Sequence, residues 1–450
     1  MADIIAALAT APARSAIGIL RLSGPDCARV AGQVFTPDRG GSLSDCPAHR
    51  LCLGQLRDRQ GRLIDRCQAV FSPAPHSYTG EDTVELQCHG SPAALSAALE
   101  ALFAAGARQA LPGEFTQRAF LNGRMDLSQA EAVIDLIDAE TADAAANAAS
   151  QVDGVLRRRV EELSDALAGV LAHFHAELDY PDEDIEPFQL PGCLEALEQT
   201  REGLTRLSES YRRGQVLRSG VRTVLLGRPN AGKSSLLNAL AGYERVIVTP
   251  TPGNTRDTVE ESLTLGGVLL RLVDTAGIRQ SADEIEAMGV RRSLDAARGA
   301  DLALFVCDGS EPLSEDDLQA MAAAKTAKCA IALVNKQDLP QVPLVLDFET
   351  VLGVSALTGQ GLDQLEAEIR RRFSAGSADG GILVSARQAG AAERAIVCLD
   401  RAIAALRGGV SPDAALQDVE EALAALGEIT GRTVGDQVLS AIFSRFCVGK

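Results

Sequence analysis

Thr223-Val-Leu-Leu-Gly-Arg-Pro-Asn-Ala-Gly-Lys-Ser-Ser235 is the stretch that decides the fold of one third of this chain. Thr223 to Leu226 reads as a buried strand. Gly227 to Ser234 has the spacing G-x-x-x-x-G-K-S, and Ser235 to Ala241 continues as a helix. Strand, glycine loop and helix in that order build a phosphate cradle. Glycines let backbone N–H groups close around phosphate oxygens, and the helix N-terminus adds positive potential. The residues assigned to the cradle are Gly227, Asn230, Ala231, Gly232, Lys233, Ser234 and Ser235. Lys233 would reach the β- and γ-phosphates, and the Ser234 hydroxyl would bind Mg²⁺. The same octet could close an ordinary strand–turn–helix, but the apolar strand before it and the helix after it favour the phosphate loop.

Downstream, Asn335-Lys336-Gln-Asp338 ends the apolar strand Ala330 to Val334, and Ser355-Ala356 follows. Guanine presents two donors on one edge, which a single carboxylate can accept and which adenine cannot match. Asp338 therefore selects GTP over ATP. An N-K-x-D tetrapeptide alone is common in surface turns; behind a phosphate loop it reads as a base-selecting turn. Asp274-Thr275-Ala276-Gly277 closes the strand Val268 to Val273. Asp274 would hold Mg²⁺ through water, and the Gly277 N–H would touch the γ-phosphate. Thr255 is the second hydroxyl candidate for Mg²⁺. The residue after Gly277 is Ile278, where Ras-type proteins carry the glutamine that positions the attacking water. Something else must orient water here.

Working outward, residues 221 to 373 alternate buried strands with helices, as α/β domains do. Before them, residues 1 to about 120 mix short apolar runs with Gly and Pro: Ile17 to Leu22, Ala69 to Phe71 and Val84 to Cys88 read as strands, with Ala93 to Ala105 a helix. From Val152 to Leu178 apolar residues recur at three- and four-residue steps, one face of a single long helix. Leu194 to Tyr211 reads as the next helix. Ser374 to Gly381 is a small-residue linker, and the helices Ala389–Leu406, Asp413–Leu426 and Val434–Phe446 complete the chain. The expected organisation is an α+β domain at 1–120, a helical domain in two parts at 121–216 and 377–450, and an inserted α/β P-loop domain at 217–376. Helical faces that cannot bury themselves alone would complete each other across the insertion.

Composition narrows the function classes. Lys and Arg number 43 against 61 Asp and Glu, a net charge of −18, so the chain is not a general polyanion binder. Arg157-Arg158-Arg159 reads as a solvated helix face rather than an RNA patch. The ten cysteines include no CxxC pair, which argues against a zinc site and a disulfide framework and favours the cytoplasm. No apolar run approaches the ~18 residues of a membrane span, and no secretory signal opens the chain.

From Arg21 to Lys450 the sequence resembles the MnmE/TrmE family of tRNA uridine-modification GTPases. The most specific pieces are Thr79-Gly-Glu-Asp-Thr-Val-Glu-Leu-Gln87, the run Pro112-Gly-Glu-Phe-Thr-Gln-Arg-Ala-Phe-Leu-Asn-Gly-Arg-Met-Asp-Leu127, and the ending Phe446-Cys-Val-Gly-Lys450. The resemblance implies a folate-binding N-terminal domain, a helical domain in two segments and an inserted Ras-like domain. It implies a potassium ion in place of an arginine finger, held by Asn230, Thr249, Thr251 and Asn254, with Thr249 also among the GTP contacts. Asn254 puts an amide oxygen where the family usually has threonine. Glu286 takes the place of the water-orienting carboxylate, so Glu286, Asn230 and Lys233 form the implied catalytic set. Arg21, Glu85, Arg124 and Lys450 correspond to residues that hold a 5,10-methylene- or 5-formyltetrahydrofolate; position 124 is commonly Lys in the family. Glu85 makes chemical sense, since a pterin ring shows a guanidine-like donor edge suited to one carboxylate. Members act as homodimers with an MnmG-type flavoprotein, which carries the FAD, on the wobble uridine of certain tRNAs. The acidic charge implies that this chain alone binds tRNA weakly.

Two other classes fit the nucleotide motifs: a ribosome-assembly GTPase, and a purely regulatory GTPase scaffold. Cys447 reads as packing or lining a site rather than as a covalent catalyst.

Overall fold

The computed structural model describes residues 3–179, 190–243, 261–273, 297–374, 381–410 and 412–450. They divide into two compact units: 1–134 with 151–201 and 394–450, and 135–150 with 202–393.

The first unit is built on a seven-stranded sheet in the order β3-β4-β5-β6-β2-β1-β7. The strands are β1 (Ile5–Leu8), β2 (Ile17–Ser23), β3 (Phe35–Pro37), β4 (Cys52–Arg57), β5 (Leu63–Ser72), β6 (Thr83–His89) and β7 (Arg108–Gln109). Only the β1–β7 pair is parallel. Side chains alternate between sheet faces. Leu20, Leu22, Val84, Leu86 and Cys88 therefore point to one side, into the core under the helix Pro92–Ala104. Ser91 caps that helix and Pro92 opens it, the favoured arrangement for a helix start. Arg21 and Glu85, directly opposite each other in the β2–β6 register, emerge on the other face.

The helical segments of this unit come from both sides of the insertion. Helix Val155–Asp179 packs along helix Pro412–Thr430, so two sequence-distant amphipathic faces share one core. Leu156, Val160 and Leu167 on the first and Val419, Ala422 and Leu426 on the second are fully or almost fully buried. The long helix expected from Val152 is present from Val155 to Asp179, with Val152 instead closing the preceding helix. Helix Ala142–Val152 ends and Val155–Asp179 begins around Gly154, whose φ of 83° no helix tolerates. Gln129 Nε2 donates to the freed Val152 carbonyl at 2.8 Å. A smaller core joins Phe120, Leu127 and Ala130 to Leu439, Phe443 and Phe446 near the C-terminus.

The second unit holds a six-stranded sheet in the order β13-β12-β11-β8-β10-β9. Its strands are β8 (Val221–Leu226), β9 (Glu261–Leu265), β10 (Val268–Leu272), β11 (Leu302–Asp308), β12 (Ala330–Asn335) and β13 (Val351–Gly353). All pairs are parallel except the β9–β10 hairpin. Every residue of β11 is buried, as expected of a central parallel strand covered on both faces. Helices Lys233–Tyr243, Glu315–Ala324 and Leu362–Phe373 accompany this sheet. Among the described residues, no helix is long and apolar enough to cross a membrane.

Candidate functional sites

In an open parallel sheet, ligands sit at the carboxyl ends of the strands. Here the ends of β8, β11 and β12 lie side by side and carry the phosphate loop, Asp308 and the Asn335 turn respectively. Lys233 opens the helix after the loop. Its Nζ donates to the carbonyls of Gly227 at 2.6 Å and Arg228 at 2.8 Å, so its ammonium is held over the mouth of the loop. Burial pushes the Lys233 pKa down, partly offset by the charge of Asp317. Asn230 has φ 60° and Gly232 φ 96°, both left-handed turns of the chain. Gly232 has a second reason to be glycine: a Cβ there would stand 2.1 Å from Asn335 Nδ2.

That contact marks the joint of the site. Asn335 is 2% exposed; its Nδ2 donates to the Ala231 carbonyl at 2.9 Å, and its Oδ1 accepts from Ala356 N at 3.1 Å. One amide thus ties the Gly227–Ser234 loop, the Asn335–Asp338 turn and the Ser355-Ala356 loop together. Asp338 is exposed, with Oδ1 accepting from the Ser355 hydroxyl at 2.5 Å. Ser355 itself is fully buried, so it aims Asp338 from a fixed base. Lys336, φ 64°, ion-pairs with Asp308 at 2.6 Å.

The second polar cluster lies on the first unit. Arg21 Nε donates to Glu85 Oε1 at 2.8 Å, and the guanidinium stands 5.4 Å from the Tyr78 ring and 5.7 Å from the Phe115 ring. Aromatic faces stabilise a cation by their negative quadrupole. The C-terminus docks on the same domain. Val448 bridges Pro112, and the Gly113 N–H donates to the Cys447 carbonyl at 3.4 Å. Gly449 lies so close to β1 that a Cβ would stand 2.2 Å from the Leu8 carbonyl. This docking brings Lys450 among the others: burial lowers its pKa, Arg21 lowers it further and Glu85 works the other way. Arg124 is exposed and packs its stem over Gly80, in the loop before β6. That loop is anchored by an ionic network in which Arg118 reaches Glu81 at 3.0 Å, Glu114 at 3.1 Å and Asp3 at 2.7 Å.

Two family models cover the chain. "GTP-binding protein TrmE N-terminus" matches residues 4–124 and "MnmE helical domain" matches residues 127–447. The chain is 43% identical to the tRNA modification GTPase MnmE of Roseiflexus sp. strain RS-1, over 100% of this chain and 99% of that one. It is 45% identical to the MnmE of Chloroflexus aurantiacus over the full length of both, and 44% identical to that of Symbiobacterium thermophilum over 100% and 99%. The chain belongs to the MnmE family of tRNA modification GTPases. Membership in the MnmE family makes it a GTP hydrolase that takes part in tRNA modification and works with GTP and Mg²⁺.

The residues present fit those two groups. A half-buried ammonium, a glycine-lined turn and a helix N-terminus at Lys233, next to Ser234, suit a phosphate–metal pair. Several assigned MnmE residues lie outside the described residues: Thr249, Thr251, Asn254, Thr255, Asp274, Thr275, Ala276, Gly277, Ile278 and Glu286. Of the four basic and acidic groups assigned to the N-terminal domain, Arg21 and Glu85 are bonded and Lys450 feels both charges. Arg124 shows a contact with Gly80 instead. Packing does not explain Cys447, which is exposed. Arg157 and Arg158 pair with Glu161 and Asp153 on their own helical surface, in line with a solvated face.

Sequence reading missed Asp308, Tyr78 and Phe115. For Asp308 a signal existed: a carboxylate ending a wholly apolar strand is costly to bury without a partner. For the two aromatics there was none, since nothing local distinguishes them from core residues.

Proposed function

We propose that this chain is a potassium-activated GTPase that, with a flavoprotein partner, adds an aminomethyl-type group to carbon 5 of the wobble uridine of certain tRNAs. The carbon would come from 5,10-methylene- or 5-formyltetrahydrofolate bound at Arg21, Glu85, Arg124 and Lys450. What supports the folate reading most is the Arg21–Glu85 pair with Lys450 docked beside it. The Glu85 carboxylate offers two oxygens that can accept both donors of a pterin's guanidine-like edge. Arg21 and Lys450 would in turn face the ring carbonyl and glutamyl tail. The half-buried Tyr78 ring, which with the fully buried Phe115 ring flanks the Arg21 guanidinium, offers an apolar wall suited to a flat heterocycle.

In the second unit, Lys233 would hold the β- and γ-phosphates, and Ser234, Thr255 and Asp274 would hold Mg²⁺. Asn230, Thr249, Thr251 and Asn254 would hold K⁺, and Glu286 would orient water. When bound, the cations neutralise charge developing on the phosphates. The reading includes a homodimer formed through residues 1–120, helical segments at 121–216 and 377–450, and a GTPase domain at 217–376. It places the chain in the cytoplasm, with FAD and most of the tRNA surface on the MnmG-type partner.

The test is calorimetric titration of the full chain with 5-formyltetrahydrofolate, paired with nucleoside analysis of tRNA from cells complemented with wild type or Glu85→Gln. Binding that Glu85→Gln abolishes, with loss of the modified nucleoside, is expected. Wild-type GTPase activity without folate binding would overturn this reading and favour a regulatory GTPase without modification chemistry.

A further inference from the structure

We infer that Asp308 is a positioning residue for the guanine nucleotide, latching the phosphate loop to the base-selecting turn through one carboxylate. The inference rests on the guanine-nucleotide reading of the second unit.

Topology puts Asp308 in place. Strand β11 lies between β8 and β12, so its carboxyl end falls between the loop that follows β8 and the turn that follows β12. The register sets Asp308 level with Asn335. Asp308 is 5% exposed, and its Oδ2 accepts from Lys336 Nζ at 2.6 Å. Arg228, the second residue of the phosphate loop, brings Nη2 to 3.8 Å from the same oxygen. The other oxygen, Oδ1, accepts from Ser310 N at 2.9 Å and Ser310 Oγ at 2.7 Å. Burial works against the Asp308 charge, but Lys336 and Ser310 outweigh it and hold the carboxyl below its ordinary range. The carboxylate is therefore ionised, oriented by Ser310 and shared by one cation from each loop.

Each cation has something to gain from it. Lys336 sits at φ 64°, a conformation that few side chains other than Asn, Asp and Gly adopt. It carries the backbone between Asn335 and Asp338, so releasing its ammonium loosens the turn that selects the base. Arg228 is also gripped by Glu311 at 2.5 Å and Asp317 at 3.4 Å, while its Nε remains buried without a hydrogen bond. Its guanidinium is pinned by three carboxylates: Asp308 at the strand end, Glu311 on the segment leading into helix Glu315–Ala324, and Asp317 in the first turn of that helix. A carboxylate that only stabilised the fold would be needed equally with and without nucleotide. One that positions two walls of a site acts on nucleotide retention.

The experiment is release of a fluorescent GDP analogue from the full chain, measured by stopped flow for wild type, Asp308→Asn, Lys336→Met and the double variant. Steady-state GTP hydrolysis is measured alongside. Asp308→Asn is expected to speed release roughly ten- to hundred-fold, the span of one lost charge-assisted hydrogen bond. Its KM for GTP should rise, with kcat at saturation close to wild type. Asp308→Asn should speed release less in the Lys336→Met background than in wild type, because the two changes share the Lys336 link and only the Arg228 contact remains to be lost. Additive effects, or a fall in kcat at unchanged KM, would overturn the inference. If Asp308→Asn does not fold, Asp308→Glu carries the same test, keeping the charge but moving it by one methylene. Faster release is then expected with Lys336 present and a smaller effect with Lys336→Met, where only the Arg228 contact is left to disturb; unchanged release with Lys336 present overturns the inference. Failure of the wild type to bind the GDP analogue would instead sink the guanine-nucleotide reading itself.

Discussion

Asn335 and Ala231 stand 104 positions apart in sequence and are joined by one hydrogen bond, Nδ2 to carbonyl, at 2.9 Å. The other end of the same amide accepts from Ala356 N. Asn335→Ala would leave a buried carbonyl and an amide N–H unpaired, at roughly 1–3 kcal/mol each. GDP affinity should fall about ten- to hundred-fold, since part of that cost falls on the nucleotide-bound geometry. Calorimetry gives the affinity and thermal melting the stability. A lower melting point with unchanged affinity would show that the amide serves the fold alone.

Asp338→Asn should exchange guanine for xanthine specificity. The Ser355 hydroxyl donates to Asp338 Oδ1, and an asparagine oxygen can accept that same bond. The turn should therefore keep its shape while one acceptor becomes a donor. GTP affinity should drop by about two orders of magnitude or more, because a guanine donor is left facing a donor. Xanthosine triphosphate should gain affinity. Unchanged GTP binding would refute the role of the carboxylate.

Potassium dependence follows from the proposed ligand Asn230, exposed at φ 60° on the phosphate loop. Hydrolysis should be far faster in potassium than in sodium buffer, and Asn230→Ala should erase the difference. Losing one electrostatic stabiliser costs on the order of 10²–10³ in kcat. Equal rates of the wild-type chain in both salts would sink the idea.

The proposed water-orienting carboxylate is tested by Glu286→Ala. We expect kcat to fall by on the order of 10²–10³ with little change in GTP affinity. A large loss of binding would assign Glu286 to the architecture of the domain instead.

Folate binding should weaken as pH rises, and sooner than an ordinary lysine would allow. Burial and Arg21 hold the Lys450 pKa below 10.5, partly opposed by Glu85. The protonated ammonium is the form that would meet an anionic ligand, so affinity is full below the lowered pKa and lost as pH climbs through it. The dissociation constant of 5-formyltetrahydrofolate, followed from pH 7 upward by fluorescence titration, should show this rise in wild type. In Lys450→Ala binding should be weaker throughout and that step should vanish. The same upward step in both proteins would assign the titration to another group.

The nucleotide motifs were legible because each is local. A strand, a glycine loop and a helix are contiguous, so period and composition carry the phosphate site from Thr223 to Ser235. The Asn335 turn likewise ends one apolar strand. The two-part helical domain was legible from its unpaired apolar faces, since neither Leu156–Leu167 nor Val419–Leu426 can be buried alone. What the chain order could not convey is which strand ends become neighbours. Placing β11 between β8 and β12 brings Asp308 between Arg228 and Lys336 and lets Asn335 reach Ala231. The start of the long helix at Val155 rather than Val152 also escaped the reading, because Val152 keeps the helical spacing across a single left-handed residue at Gly154. In the same way, only tertiary structure sets Lys450, the last residue, beside Arg21 and Glu85. A β2–β6 register makes the latter two opposite, and a Gly449 without a Cβ lets the C-terminus lie against β1. Sequence determines the local geometry of each loop, because that depends on dihedral preference and near-neighbour polarity. Charges far apart in the chain meet only where sheet order and close packing bring their backbones together.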